Sequence, residues 1–507
     1  MQNLLDLLDE AAGRFGGGPF ALAENGETLS FEGLARAAAG VAAGLARCGV
    51  RPGDHVALLL PNCLSFLPAY FGILRAGAMA VPVNVRLKPA ELLFILTNCG
   101  ARVIFVHPRT WAAAKDALSG FPDPPSLIAV EFPDDRPPGS IRLEELTRSG
   151  NPPPARPAPA SDDPAAIIYT SGTTGQPKGA MLTHGAILFN IMATKAGHGL
   201  LPGDRHLLVV PLFHVTGLNT ILPTALDQGA EIVISAQTDP AALITIINRF
   251  ECTTFFGVPT TFYLLTSLKN LPANAAPSLR LICYSGAPMA AQTIAKLREI
   301  FPGVKLHNFF GLTETTSVSS VLPDDQALIR AESVGLPPPG VDLAIHDEAD
   351  HRLPPNQVGE LVIRGPSVFK GYYGRPEATS EALRDGWFHT GDAAFLDDEG
   401  YLFLRGRKKE MIIVAGENVY PIEVENALCD HPAVQEAAVY GMVDRILGEV
   451  AHAAVVLRPG ETATERDLKA HLSSRLASFK QPRSIRILAS LPRNPSGKVV
   501  KRELMEG

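Results

Sequence analysis

The sequence predicts an α/β protein whose larger part carries mainly parallel sheets. Short apolar runs of strand length recur along it, each closed by turn residues, and stretches of helical period lie between most of them. Repeated strand–helix units of this kind build parallel sheets covered by helices. A third observation divides the chain. Beyond Gly340 the pattern changes to short alternating strands, and 507 residues exceed what one hydrophobic core usually supports, so a second domain is expected.

Taken in order, residues 1–15 carry Asp6, Asp9 and Glu10 among leucines and read as an amphipathic helix. A secretory signal would need a positive start and an unbroken apolar stretch. Small and apolar residues recur with helical period over 34–46, and Pro52-Gly53-Asp54 then turns the chain into the apolar run 55–60, bounded by Pro61-Asn62. Helix is expected over 65–76, and buried strands over 78–83, 103–106, 166–169, 207–210, 231–234, 253–256 and 281–284. The proline-rich stretch 132–164 is expected to be a surface connection. Short strands are expected at 341–346, 360–364 and 401–405, followed by a compact set of strands and helices from Met411 onward. Charge is dense and apolar residues are absent over 405–409, which places the domain junction there.

Composition excludes several classes. Apolar residues make up 46% and charged ones 19%, ordinary globular usage, so extended disorder is not expected. Net charge is -7 with both signs interspersed, which leaves no basic stripe for a nucleic-acid backbone. The six cysteines are scattered, with no CxxC pair and no histidine at ligand spacing, and read as reduced, buried thiols rather than a zinc site. No apolar run reaches the length of a membrane span, and a cytoplasmic protein is expected.

The strongest chemical signal is the segment 169–179. A strand ends at Tyr169, and the eleven residues then supply five hydroxyl groups, three glycines and Lys178. Glycines let backbone N–H groups turn toward one point, hydroxyls add neutral donors, and the lysine adds charge, which together suit a polyphosphate. It is not the GxxxxGK[ST] loop, because Lys178 is followed by Gly179. Other segments are ambiguous by themselves. His214, within Pro211-Leu-Phe-His-Val-Thr-Gly, reads alone as a core histidine. Asp392, after Thr390-Gly391, reads as a turn residue, the basic run 405–409 as solvated surface, and Gly497-Lys498 as a basic tail.

In their order these segments resemble the motifs of the acyl-adenylate-forming superfamily, which includes acyl-CoA synthetases, luciferases and the adenylation domains of peptide synthetases. The resemblance covers almost the whole chain, and several motifs in one order are more specific than any one. It implies stacked α/β sheets with a small β-barrel-like subdomain over 1–405, a hinge at 406–409 centred on Lys409, and a small mobile α+β lid over 410–507. It also implies an ATP-dependent, AMP-forming acyl-CoA ligase, with Mg²⁺ as cofactor and ATP, coenzyme A and a carboxylic acid as substrates.

Carried over by motif, Thr170, Ser171, Gly172, Thr173, Thr174, Gly175 and Lys178 bind the ATP phosphates. Gly286, Ala287 and Pro288 form the turn against the adenine, with Asn308, Phe309, Phe310 and Gly311. Many relatives carry Tyr at the position of Phe310; stacking survives that change and a phenolic hydrogen bond is lost. Asp392 and Arg407 meet ribose and phosphates. Thr313 donates to the α-phosphate and Glu314 is the Mg²⁺ ligand. His214, Val215, Thr216, Phe256, Ser285, Gly311 and Val318 line the acyl pocket, Gly416 and Glu417 the CoA tunnel. Lys498 is the catalytic lysine that bridges acyl carboxylate and α-phosphate, in a set with Thr313, Glu314 and His214.

The segments expected to line the acyl pocket, 213–218, 252–262, 284–289 and 309–321, contain no Lys or Arg. A second carboxylate there would be buried unpaired, so a monocarboxylate with an apolar body, fatty or aromatic, is expected. The alternative is a stand-alone adenylation enzyme that loads a carrier protein, against which stands a chain ending just after Lys498 with no fused carrier. A binding protein without chemistry is disfavoured because all the charged site residues are present. A monomer or homodimer is expected.

Overall fold

The leucine-rich start folds as the helix Leu4–Phe15, with Asn3 accepting from the N–H groups of Leu5 and Asp6 and with Leu4, Leu7, Leu8 and Ala11 buried. The structure is a computed structural model, described here for all residues except 122, 134, 148–157, 171–175, 269–270, 287–288, 415–416, 446, 474, 496 and 507.

Two eight-stranded sheets form the larger part. In one, the parallel strands Glu231–Ile234, Arg205–Leu208, Thr254–Gly257, Leu281–Tyr284 and Lys305–Phe310 lie side by side, closed at one edge by the antiparallel Ser320–Leu322. In the other, Ser126–Ala129, Val103–Val106, His55–Leu59 and Met79–Pro82 run parallel, continue to Pro164–Thr170, and end in the antiparallel strands Lys178–Thr183 and Gly371–Tyr372. The helix Phe66–Arg75 is apolar on every face and is buried from Phe66 to Leu74. It shares one core with Phe20, Ile232 and Ile234 of the first sheet and Val56, Leu58 and Phe105 of the second. A Cβ on its Gly72 would come within 2.5 Å of Val41 on the neighbouring helix Phe31–Arg47, so that crossing is as close as glycine allows.

A six-stranded, antiparallel sheet holding Asp342–His346, Gly359–Arg364, Trp387–Leu396 and Leu402–Arg407 forms the small β subdomain. The last segment folds on its own core, in which Val424, Leu428, Val439, Val455 and Leu472 pack around the long hairpin Val434–Asp444 and Gly448–Leu457. Arg458 at the end of that hairpin sits over the ring of Tyr263, 5.3 Å from its centroid.

Three sequence expectations shift. The run 207–210 ends as strand at Leu208, because Asn62 draws the carbonyls of Val210 and Ser235 to its amide at 3.2 and 3.1 Å. The proline-rich stretch is not all surface. Ile141–Arg142 adds a strand to the second sheet, and Leu143 and Leu146 in the short helix Leu143–Thr147 are buried against the helix Phe31–Arg47. Composition hides this because two leucines suffice once a glycine, Gly44, lets them approach. Finally, the strand expected over 401–405 runs on to Arg407, with Gly406 and Arg407 opposite Ala393 and Asp392. Arg407 is there because its charge is matched across the ladder.

Candidate functional site

Ligands in open α/β sheets bind beyond the carboxyl ends of parallel strands. The predicted residues gather there. His214 follows Arg205–Leu208, Ser285 and Gly286 follow Leu281–Tyr284, and Gly311, Thr313 and Glu314 follow Lys305–Phe310, on neighbouring strands of one orientation. In the second sheet Thr170 closes its strand at the matching edge, and Lys178 begins the next, opposite it in register. Ser171, Gly172, Thr173, Thr174, Gly175, Ala287, Pro288 and Gly416 lie outside the described residues.

Each position has a local cause. Asn62 binds the loop of His214 from the other sheet, accepting from Leu212 N–H at 2.8 Å while donating to the Val210 carbonyl. His214 N–H then donates to the Pro211 carbonyl at 2.9 Å, and a wide helical turn, Thr216–Ile221, follows directly. Val215 is buried and Thr216 half-buried. Phe256, Phe309 and Val318 are packed in the core. Asn308, read as a base-edge donor, is buried and gives its Nδ2 to the Ser333 carbonyl at 3.1 Å. Phe310 keeps a half-buried ring.

Gly311 opens a tight turn in which Ser319 N–H returns to the Phe310 carbonyl at 2.8 Å and Thr316 and Ser317 take positive φ values of 56° and 104°. Within it, Thr313–Thr315 forms one short helical turn carrying Glu314. Two groups from a distant segment hold that residue. Phe369 N–H donates to its carbonyl at 2.8 Å, and Tyr372 donates its hydroxyl to Oε1 at 2.9 Å.

Asp392 and Arg407 face each other across paired strands, joined at 3.0 Å, and Arg407 also donates to the Thr390 carbonyl at 2.7 Å. Burial pushes the Asp392 carboxyl up to about 6, against the opposing charges of Arg407 and then Lys498. Behind it stands Glu360, a buried carboxylate missed in the sequence. One oxygen accepts from Gly391 N–H at 3.0 Å, and the other meets Lys408 Nζ at 3.2 Å.

Lys498 sits on a turn closed twice by Asn494, whose Oδ1 accepts from Lys498 N–H and whose N–H donates to the Lys498 carbonyl, both at 2.9 Å. Lys501, three residues on, pairs with Glu410 just past the junction at 3.1 Å and with Glu425 in the helix Pro421–Cys429 at 2.9 Å. Lys498 is exposed, and its charge acts on both His214 and Asp392. His214 is exposed to the cleft; crowding by the surrounding chain, and then the Lys498 charge, lower its imidazole, so the ring is neutral at pH 7.

Lys409 is exposed; partial burial first, then the charges of Arg407 and Lys178, lower its ammonium. Arg407 thus pairs with Asp392, the Lys498 and Glu314 charges also act on Asp392, and the Lys178 charge acts on Lys409. Glu417 is exposed on the short strand Glu417–Val419, carried by the C-terminal sheet.

No group of three or more His, Cys, Asp or Glu among the described residues could by itself hold a metal ion. Glu314 supplies one carboxylate, and Tyr372 touches both it and Lys178. That donor set fits Mg²⁺, which is commonly held by one or two carboxylates together with substrate phosphates and water. No helix of the described residues is long and apolar enough to cross a membrane.

Basic side chains beside the carboxylates Asp392 and Glu314, with parallel strands ending nearby, suit a site that activates an acid with a nucleotide. The chain belongs to the AMP-binding enzyme family: residues 8–373 match the AMP-binding enzyme and residues 423–498 the AMP-binding enzyme C-terminal domain. Within it the chain is an AMP-forming acyl-CoA synthetase, an acid–thiol ligase.

Three relatives illustrate the range. The chain is 38% identical over 484 residues to a feruloyl-CoA synthase of an Amycolatopsis species, covering 96% of this chain and 95% of that one. It is 34% identical over 470 residues to the long-chain-fatty-acid–CoA ligase FadD13 of Mycobacterium tuberculosis, covering 91% and 90%. The crystal structure of the anthranilate CoA ligase AuaEII in complex with anthranoyl-AMP superposes with a TM-score of 0.90 at 27% identity, covering 99% of this chain and 96% of that one.

Proposed function

We propose that the enzyme activates a monocarboxylic acid with an apolar body, fatty or aromatic, and that Lys498 and Mg²⁺ bound at Glu314 serve its adenylation step. The single observation that carries the choice of acid is the absence of Lys and Arg from the four segments around the acyl side of the cleft. A dicarboxylate would leave its second charge unpaired there, at a cost of several kcal/mol. Two of the relatives are named for a substituted cinnamic acid and a long-chain fatty acid, which fits the same rule.

In this reading the chain's own groups do four things. Lys178, with the loop from Thr170 that precedes it, holds the β- and γ-phosphates. Asp392 accepts from the ribose hydroxyls while Arg407 spans ribose and phosphate. Neutral His214 lies beside the acyl carboxylate without adding charge, and Thr313 donates to the α-phosphate. Lys498 lies between carboxylate and phosphorus and offsets the repulsion of two anions. Mg²⁺, when bound at Glu314, would neutralise the departing pyrophosphate. The acyl-AMP so formed is a mixed anhydride whose carbonyl a thiol attacks, releasing AMP. Rotation of the segment 410–507 about Lys409 would withdraw Lys498 and bring Glu417 to the CoA side. The protein is assigned to the cytoplasm on the same terms.

Pyrophosphate release from a panel of acids, with and without CoA, tests the proposal. Aromatic or fatty monocarboxylates should turn over and yield thioesters, and malonate or succinate should not. Preferred turnover of a dicarboxylate would overturn the acid class. Adenylate without thioester would favour transfer to a carrier protein.

The Asp392 shift gives a second test. The carboxyl is held above its ordinary value, so it takes a proton as pH falls through about 6 and then ceases to accept both ribose hydroxyls. The kcat/KM for ATP should fall on the acid side with an apparent pKa near 6, a property of the free enzyme. Asp392→Asn should be weaker overall and lack that limb. A parent profile flat down to pH 5 contradicts the role.

A further inference from the structure

We propose that Tyr372 is a positioning residue of the phosphate site, fixing the Glu314 carboxylate through its hydroxyl and the Lys178 ammonium through its ring. This rests on the reading of Glu314 and Lys178 given above, and it assigns a role to a residue outside every motif singled out in the sequence.

Main-chain bonds set the position. Tyr372 lies in the edge strand Gly371–Tyr372, opposite Ala180 of the strand that Lys178 begins. On either side, Lys370 N–H donates to the Met181 carbonyl at 2.9 Å and Tyr373 N–H to the Gly179 carbonyl at 2.8 Å. The ring is therefore carried to Lys178 by the ladder, and Lys178 Nζ stands 5.0 Å from its centroid, within the range of a cation–π contact. Phe369, three residues earlier, stacks edge-on against Tyr372 with centroids 4.8 Å apart and donates its N–H to the Glu314 carbonyl at 2.8 Å. One segment thus grips Glu314 by its main chain and, through the Tyr372 hydroxyl, by its side chain.

The chemistry follows from what the two charges would otherwise do. A lysine and a glutamate close together in a half-buried cleft attract each other, and a direct ion pair would occupy both groups. Among the described residues Lys178 and Glu314 form no such pair; Tyr372 touches both. The hydroxyl takes Oε1, which leaves Oε2 for a metal. The aromatic face holds the ammonium without a counter-charge, so its attraction for phosphate is kept. Groups that orient a metal-binding carboxylate in this way are typically worth about 10–100-fold in metal affinity or activity.

Two substitutions separate the contacts in the full-length protein. Tyr372→Phe removes the hydroxyl and keeps the ring, and Tyr372→Leu removes both. The probes are Mn²⁺, followed by electron paramagnetic resonance in the presence of a non-hydrolysable ATP analogue, and that analogue alone without metal. Tyr372→Phe should weaken Mn²⁺ binding by about tenfold or more, raise the Mg²⁺ concentration needed for half-maximal rate, and leave metal-free binding of the analogue within about two-fold of the parent. Tyr372→Leu should lose Mn²⁺ affinity equally and also bind the metal-free analogue several-fold more weakly. Parent-like Mn²⁺ binding in Tyr372→Phe overturns the carboxylate half, whatever happens to the rate. Equal metal-free binding in the two variants overturns the lysine half. Glu314→Gln is the control for the underlying reading: if it binds Mn²⁺ as the parent does, Glu314 is not the metal ligand and that reading falls.

Discussion

Lys498→Ala is expected to abolish adenylate formation while thiolysis of a supplied acyl-AMP continues near the parent rate. The first half-reaction presses a carboxylate against an α-phosphate. Two unit charges about 4 Å apart repel by about 4 kcal/mol at the effective dielectric of a partly buried site, which corresponds to about three powers of ten in rate. In the proposed reading Lys498 is the cation set between these two anions, and its charge acts on both His214 and Asp392. The second half-reaction breaks a mixed anhydride with a thiol and has no such pair of anions to bring together. The measurements are ATP-dependent adenylate formation and thioester formation from synthetic acyl-AMP, with a circular-dichroism check of folding. Equal loss of both halves in a folded protein, or loss of neither, would remove Lys498 from the mechanism.

Gly311→Ala is expected to be the most damaging conservative change in the cleft. A Cβ at this position would lie 1.1 Å from the Ser317 carbonyl oxygen. That neighbour is backbone, so no side chain can rotate away, and the turn that presents Thr313 and Glu314 must open. Overpacking against flexible side chains costs about 1–3 kcal/mol, and a clash with a fixed carbonyl belongs at or above the top of that range. The variant should melt well below the parent, and whatever remains soluble should bind ATP poorly. A soluble Gly311→Ala protein with the parent melting temperature and parent KM for ATP would show that the turn is not as close as described.

Much of the fold was legible because buried parallel strands are short apolar runs. His55–Leu59, Val103–Val106, Glu231–Ile234 and Leu281–Tyr284 fall within the expected ranges. The role proposed for Lys178 comes from a motif that carries its own mechanism, glycines and hydroxyls beside a lysine. Those proposed for Lys498 and Asp392 rest on resemblance, since a basic tail and a turn are the ordinary meanings of such residues.

Residues whose role depends on a partner far along the chain were not legible. Tyr372 is an unremarked tyrosine until an edge strand sets it against Lys178 and Glu314, and Glu360 is an ordinary strand residue until it meets Gly391 and Lys408. The extent of Leu402–Arg407 was misread for a related reason: charge marks a linker only when it faces water, and Arg407 faces Asp392. The sequence by itself determined the strands, the donors of the segment proposed to hold phosphate and the absence of Lys and Arg from the segments proposed for the acyl side, because these follow from residue type and local spacing. Tertiary structure alone decided which charges meet, because ion pairing and cation–π contact depend on distance in space, and only the sheet registers bring those groups together.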